Sequence, residues 1–191
     1  MGALLRRTHE IKMDAYGYIL ADGVWRGGAN NADYVTSTFE RLLVRFRRQG
    51  GDSALAGRIE SAARTRFHLL DFSAGPVLCH DDFQHGNLLA PRDAAGALRL
   101  TGLIDFGNAL AGDAVSDLAK TLFCCAHEDP RSYGPILEGY GPIDHPEPVE
   151  ALWLYTLIHR LTMWTWLTRS GANFDGAGPT GLIRDLDEML R

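Results

Sequence analysis

Two polar segments, separated by a stretch that can form a β-hairpin, constrain this chain of 191 residues more than any other feature. The first segment is CHDDFQHGN at positions 79–87, and the second is LIDFG around Asp105. Between them, a short apolar run at 88–90 is followed by turn-forming residues and by an alternating stretch at 98–104. We therefore expect a hairpin that brings Asn87 and Asp105 side by side.

The residue types at the mouth of this hairpin suit a magnesium ion. Mg²⁺ takes a few hard oxygen ligands and keeps its other positions for water and phosphate groups, so the Asn87 amide oxygen and the Asp105 carboxylate form a sensible pair. His80, Asp82 and Asn87 also have the H-x-D-x-x-x-x-N spacing of a kinase catalytic loop, and Asp105 begins a D-F-G segment. This spacing predicts Asp82 as the base that accepts the hydroxyl proton, with Mg²⁺ and ATP or GTP at the site.

The residues that follow Asp105 indicate which family of kinase-like proteins the chain resembles. The sequence IDFGNALAGDAVSDLA at 104–119 is similar to the aminoglycoside phosphotransferase and choline kinase family, whose members show an Asp, then a Gly-Asp pair, then Asp-Leu-Ala at the start of a helix. Protein kinases are less similar, because no Ala-Pro-Glu follows. The physical pattern agrees, since Asp113 is a good N-cap and Asp117 falls in the first helical turn.

This resemblance implies a mainly α, α+β structure: the C-terminal lobe of a protein-kinase-like fold, helical, with a small β-hairpin that carries the site. It implies a phosphotransferase that moves the γ-phosphoryl group of ATP or GTP to a hydroxyl of a small molecule, either an aminoglycoside or another small metabolite.

The supporting residues are assigned partly by the resemblance. In this family Asp117 would brace the catalytic loop, although a solvated first-turn acid is an equally good interpretation. We expect His80 to pack and to hydrogen-bond so that it holds the loop, without a part in proton transfer. Gln84 and His85 are candidates for contact with the substrate, and His85 could equally cap the turn. A zinc site is disfavoured, because no second ligand cluster follows at a typical spacing.

The chain departs from the family in two places. Asp81 stands where relatives most often have Gly or another small or polar residue; because successive side chains in an extended loop point apart, Asp82 keeps the role of base. A complete enzyme of this type also has an N-terminal lobe with a strand-borne Lys. Lys12 and Lys120 are the two lysines here, neither is expected on a strand, and the glycine-rich stretch 26–31 is expected to lack the strand and helix that flank a phosphate loop. The resemblance therefore predicts residues 1–191 as a single C-lobe.

Two alternatives follow from the missing elements. The chain could be a truncated, non-catalytic remnant or interaction module, or its N-lobe could lie upstream or on a separate polypeptide. In either case we expect an exposed apolar surface that docks a missing N-lobe or a second copy of the chain. Its members are Leu4, Leu5 and Ile11 of the first helix and Leu88, Leu89 and Leu103 of the hairpin.

Composition excludes several other classes. A net charge of −5 and a pI near 5.8 argue against a nucleic-acid partner. Three cysteines without a C-x-x-C pair suit reduced thiols, and Arg6 and Arg7 interrupt the apolar start that a signal peptide needs. Residues 149–167 are apolar but include Glu150 and Arg160, which predicts a buried core helix instead of a membrane span. We expect a cytoplasmic protein with no membrane partner.

The remaining chain is predicted to be helical. A first helix leads through a glycine-rich turn at 22–31 to helices at 33–49 and 54–70, and a loop-rich stretch at 134–148 precedes the core helix and a final helix at 182–190. A basic cluster on the 33–49 helix is interpreted as its solvated face; it comprises Arg41, Arg45, Arg47 and Arg48.

Overall fold

The computed structural model describes residues 1–28, 30–171 and 178–191. The chain forms two compact units, one made of Met1–Arg26 and Gly75–Ile143 and the other of Gly27–Ala74 and Asp144–Arg191. The predicted mainly α, α+β fold with a small β-hairpin is confirmed, and a four-stranded sheet that was not predicted is also present. That residues 1–191 form a single lobe stays a prediction.

In chain order, the elements are α1 (Gly2–Thr8), β1 (Tyr16–Leu20), β2 (Gly23–Gly28), α2 (Asn31–Arg48), α3 (Ser53–Arg64), β3 (Val77–Cys79), β4 (Leu88–Leu89), β5 (Gly102–Leu103), β6 (Leu110–Gly112), α4 (Ala114–Glu128), α5 (Tyr133–Tyr140), α6 (Pro148–Ser170) and α7 (Gly178–Met189). None of the helices in these described ranges is long and apolar enough to cross a membrane.

A four-stranded sheet of order β2-β1-β6-β3 organises the first unit. Strand β6 pairs antiparallel with both β1 and β3, and Cys79 lies opposite Leu110. Because β3 and β6 run in opposite directions, the end of β3 lies beside the start of β6. The polar segment after Cys79 is therefore adjacent to the segment that precedes Leu110, which contains Asp105.

Helix α4 follows β6 directly and begins as predicted. The Asp113 carboxylate accepts a hydrogen bond from the backbone N–H of Val115 at 2.6 Å, which satisfies one of the unpaired donors of the first turn. Leu118, Ala119 and Leu122 are buried on the predicted apolar face. This packing fixes the start of α4 beneath the polar segments.

Helix α1 packs against α5 within the same unit. Gly2 approaches so closely that a Cβ there would overlap the backbone of Ile136 and Tyr140. Leu5 is fully buried, which is a correction to its predicted place on an open apolar surface. Of the other predicted members, Ile11 and Leu89 are exposed, by 51% and 48%, and Leu4, Leu88 and Leu103 are half-buried, so a docking surface stays a prediction.

The second unit is built on α2 and α6. Asn30 caps α2 by accepting a hydrogen bond from the backbone N–H of Asp33 at 2.9 Å, and the four arginines of the basic cluster are exposed, as predicted. Helix α6 buries Leu154, Leu157 and Leu161 completely, so the core-helix prediction is confirmed.

Several predicted boundaries are wrong. The glycine-rich turn predicted at 22–31 is instead largely strand β2, which follows β1. Aromatic and β-branched residues in these strands favour a pleated surface, and Gly23, with φ of 126°, permits the tight connection between them. Contrary to prediction, the glycine-rich stretch at 26–31 therefore has a flanking strand and helix, because it contains the end of β2 and the first residue of α2; Ala29 lies outside the described residues.

Three further predictions, of a loop, a helix and a strand, also need correction. The first part of the loop-rich stretch predicted at 134–148 is helix α5, which tolerates Pro135 because a missing N–H in the first turn removes no intrahelical hydrogen bond. The helix predicted at 54–70 ends at Arg64, since the backbone N–H of Arg66 bonds to Ala63 in a tighter turn, and a 3₁₀ segment covers Phe67–Phe72. The returning strand at 98–104 is reduced to Gly102–Leu103.

Candidate functional site

The segment after β3 brings Asp82 and Asn87 together. A 3₁₀ turn at His85–Asn87 closes this loop. The Asn87 side-chain amide donates to the Asp82 backbone carbonyl at 2.8 Å and to its Oδ2 atom at 3.2 Å. These two bonds orient the Asp82 carboxylate and leave its Oδ1 atom without a hydrogen-bond partner among the described residues. Asp82 is half-buried, so this oxygen is available to a bound group.

The β4–β5 pair brings Asn87 close to the segment that contains Asp105. Leu88 pairs with Leu103, and the backbone N–H of Ile104 donates to the Asn87 carbonyl at 3.0 Å. Asp105 follows at once, in the left-handed region with φ of 64° and ψ of 63°, and is exposed.

Both ends of this hairpin mouth present hard oxygen atoms. Because the Asn87 amide nitrogen is used in bonds to Asp82, its Oδ1 atom is left open. The Asp105 carboxylate makes no cap bond to the turn that follows it. Within the described part of the chain, neither oxygen has a protein partner. This donor set fits a hydrated Mg²⁺ ion, which takes one or two protein oxygens and retains water.

His80 contacts both segments of the site. Its side chain is fully buried, and Nε2–H donates to the Ile104 carbonyl at 3.0 Å. The imidazole packs against Phe106 at 4.6 Å between ring centroids and meets Phe83 edge to face at 5.9 Å. His80 thereby ties the loop after β3 to the segment that carries Asp105.

Asp117 holds the backbone of the same loop. Its carboxylate is buried and accepts hydrogen bonds from the backbone N–H groups of His80 and Asp81, at 2.8 and 2.9 Å, and from His9 Nε2–H at 3.1 Å. Burial works to raise the pKa of Asp117, but the hydrogen bonds from His9 and the two N–H groups outweigh it and hold the pKa below its ordinary value. The solvated first-turn interpretation of Asp117 is therefore wrong.

His9 and Tyr140 extend this network and were missed by sequence reasoning. The Tyr140 hydroxyl donates to His9 Nδ1 at 2.8 Å, and burial raises the pKa of Tyr140 to about 12. His9 lies at the end of α1, outside any motif, and 108 positions separate it from Asp117. Cys79 approaches the same point, but both His9 nitrogens and both Asp117 oxygens are engaged in hydrogen bonds, so the cluster is a bonding network and not a metal site.

Asp81 forms an ion pair with Lys120 and has a φ of 56°, so the loop is left-handed at this residue and not extended as expected. The Lys120 ammonium lies 2.8 Å from Asp81 Oδ2, and the two side chains are 16% and 23% exposed. Burial raises the pKa of Asp81 to about 6 despite the attraction of Lys120. Burial would lower the pKa of Lys120, but the charge of Asp81 raises it above its ordinary value. Sequence reasoning missed Lys120, whose only signal was its place one turn after Asp117.

The two residues predicted to contact substrate lie at the turn that closes the loop. His85 is exposed, and its Nδ1–H donates to Glu128 of α4 at 2.8 Å. Gln84 is half-buried and precedes the turn in an extended conformation. Contact of either residue with a substrate stays a prediction.

Comparisons with known proteins indicate the family of the chain. The sequence model of the phosphotransferase enzyme family matches residues 1–152. No curated protein matches the chain.

Solved structures share the fold. A thermostable mutant of aminoglycoside phosphotransferase APH(4)-Ia, in a ternary complex with AMP-PNP and hygromycin B, is 18% identical with a TM-score of 0.62, and the match covers 94% of this chain and 58% of that one. Choline kinase LicA from Streptococcus pneumoniae is 17% identical with a TM-score of 0.59, and the match covers 99% and 61%. The gentamicin complex of APH(2")-IIa is 20% identical with a TM-score of 0.59, and the match covers 97% and 58%.

The chain thus spans less than two thirds of the length of these three proteins. The family match extends over most of its residues and includes both polar segments and helix α4. The chain belongs to the phosphotransferase enzyme family.

Proposed function

We propose that this chain carries the acceptor and metal side of a phosphotransferase site, which moves the γ-phosphoryl group of ATP or GTP to a hydroxyl of a small molecule. The observation that supports the proposal most is the Asn87 side chain. It bonds to Asp82 through nitrogen and leaves its oxygen open at the hairpin mouth, where Asp105 also has an open carboxylate. The Asn87 side chain would thus orient the base and bind the metal at the same time.

Asp82 would act as the base. Its Oδ1 atom is unbonded among the described residues and can accept the hydroxyl proton, while the hydrogen bond from Asn87 to Oδ2 holds the carboxylate in one orientation. Phosphoryl transfer leaves little covalent work to a protein, so fixed orientation of the acceptor hydroxyl would carry much of the rate. Asp117 and His80 would keep the loop that carries Asp82 in place.

Asn87 and Asp105 would hold Mg²⁺ through their open oxygens. The ion, when bound, would neutralise phosphate charge. The acceptor is proposed only as a class, a small hydroxyl compound such as an aminoglycoside or choline, since structures of similar fold include an APH(4)-Ia complex with hygromycin B and a choline kinase.

Phosphoryl transfer can be tested directly. The protein is incubated with Mg²⁺, ATP or GTP and a panel of aminoglycosides and choline, and phosphorylated products are detected by mass spectrometry. Because the chain carries the acceptor and metal side of the site, we expect a product formed far more slowly than the about 1–100 per second of kinases. The rate should fall about 1000-fold further in Asp82→Asn, because general-base catalysis contributes on the order of 100- to 10,000-fold. Asp33→Asn, an exposed acid in the second unit, is the matched control. Equal rates for Asp82→Asn and wild type would refute the role of Asp82, and no product from any acceptor would refute the proposed function.

The metal site has a test that needs no activity. Mn²⁺, used as a paramagnetic substitute for Mg²⁺, should broaden the NMR signals of Asn87 and Asp105 before those of other residues. Asp105→Asn should remove this selectivity, whereas Asp33→Asn should preserve it. Unchanged broadening in Asp105→Asn would show that the ion binds elsewhere.

A further inference from the structure

Asp81 occupies an unfavourable position for an aspartate in two respects. Its φ of 56° lies in the left-handed region, which it shares with only one other non-glycine residue of the described chain, Asp105. Residues with a Cβ adopt this region at an energetic cost, while glycine adopts it freely. Its carboxylate is also mostly buried, and a buried charge is unfavourable unless it is paired.

Two side chains of helix α4 stabilise Asp81 in this position. Asp117 accepts the backbone N–H of Asp81 at 2.9 Å, and Lys120, three residues later on the helix, pairs with its side chain at 2.8 Å. The main chain and the side chain of Asp81 are therefore held by successive turns of one helix. Asp82 is the next residue along the chain, so its direction depends on both attachments.

We propose that Lys120 is a positioning residue for Asp82 and acts through Asp81; this inference rests on the proposed function. While Asp81 is present, the loop keeps its left-handed turn only if the buried carboxylate keeps its cation. Without Lys120, the carboxylate moves toward water and rotates the backbone that leads into Asp82. A glycine at position 81 has neither the charge nor the strain, so it makes Lys120 dispensable.

The kinetic test is a set of three variants. Lys120→Met should lower kcat about 100-fold, as expected for a displacement of the base by about 1 Å, with the KM for nucleotide within about twofold. The double variant Asp81→Gly/Lys120→Met should recover kcat to within about fivefold of wild type. Lys12→Met removes the other, exposed lysine and should have no effect. If Lys120→Met retains wild-type kcat, or if the double variant stays as slow as Lys120→Met, the inference is overturned.

A second measurement separates this inference from the proposed function. The Asn87 side-chain amide reports the position of Asp82 by NMR, because it donates to that residue. In Lys120→Met its signals should shift and its protons should exchange faster with water, and in the double variant both properties should return to wild type. Unchanged Asn87 signals in a folded Lys120→Met protein refute the positioning role even if no phosphoryl transfer is found.

Discussion

Replacement of Asp117 by asparagine tests the buried network that holds the catalytic loop. The carboxylate accepts three hydrogen bonds: one from the His80 N–H and one from His9, both to Oδ2, and one from the Asp81 N–H to Oδ1. An asparagine offers one oxygen and one NH₂ group. If its oxygen takes the place of Oδ2, the NH₂ group faces the Asp81 N–H, and a buried donor loses its acceptor.

The expected cost follows from these bonds. A hydrogen bond to a charged group contributes about 1.5–3 kcal/mol, and an unsatisfied buried donor costs about 1–3 kcal/mol. With one bond lost and the remaining two made to a neutral oxygen, we expect Asp117→Asn to lower the free energy of unfolding by about 2–4 kcal/mol. The mutation also removes a first-turn acid, which contributes at most about 1 kcal/mol at an exposed site.

Urea unfolding followed by far-ultraviolet circular dichroism at pH 7 measures this loss. Asp33→Asn is the matched control, because it removes an exposed first-turn acid from α2 without a buried hydrogen bond, and it should change stability by at most about 1 kcal/mol. A loss in Asp117→Asn as small as that in Asp33→Asn would refute the bracing role of Asp117.

Two further predictions concern packing and pH. Gly2→Ala should destabilise the protein by about 2 kcal/mol or more in thermal melts, because the added methyl overlaps the backbone of α5. The control Gly134→Ala, whose Cβ meets nothing within 4 Å, should be neutral. Equal melting temperatures for the two variants would contradict the close approach of α1 and α5. Burial raises the pKa of Asp81 from 3.8 to about 6, so the folded chain binds this proton more tightly than the unfolded chain. The contribution of Asp81 to stability should therefore fall by up to about 3 kcal/mol as pH rises from about 4 to 6, a decline that urea titrations should find absent in Asp81→Asn; parallel pH curves for the two proteins would contradict it.

Local sequence was sufficient to predict the parts of the site that lie close together along the chain. The spacing within 79–87 and the turn-forming residues before the returning strand predicted the hairpin between Asn87 and Asp105, which the β4–β5 pair confirms. The N-cap at Asp113 and the apolar face of α4 followed from capping chemistry and from the helical period. These features are set by neighbouring residues, so a local pattern is enough to predict them.

Contacts between distant residues were decided by tertiary packing alone. His9 meets Asp117 only because α1 packs on α5, and Lys120 meets Asp81, 39 positions away, only because α4 lies beneath the loop after β3. Strand β1 likewise finds its partner in β6, across more than 90 positions. No local pattern encodes which of several polar side chains on a helix will face a given loop. The sequence therefore determined which groups could carry the chemistry, and the packing of helices and strands determined which groups hold them in place.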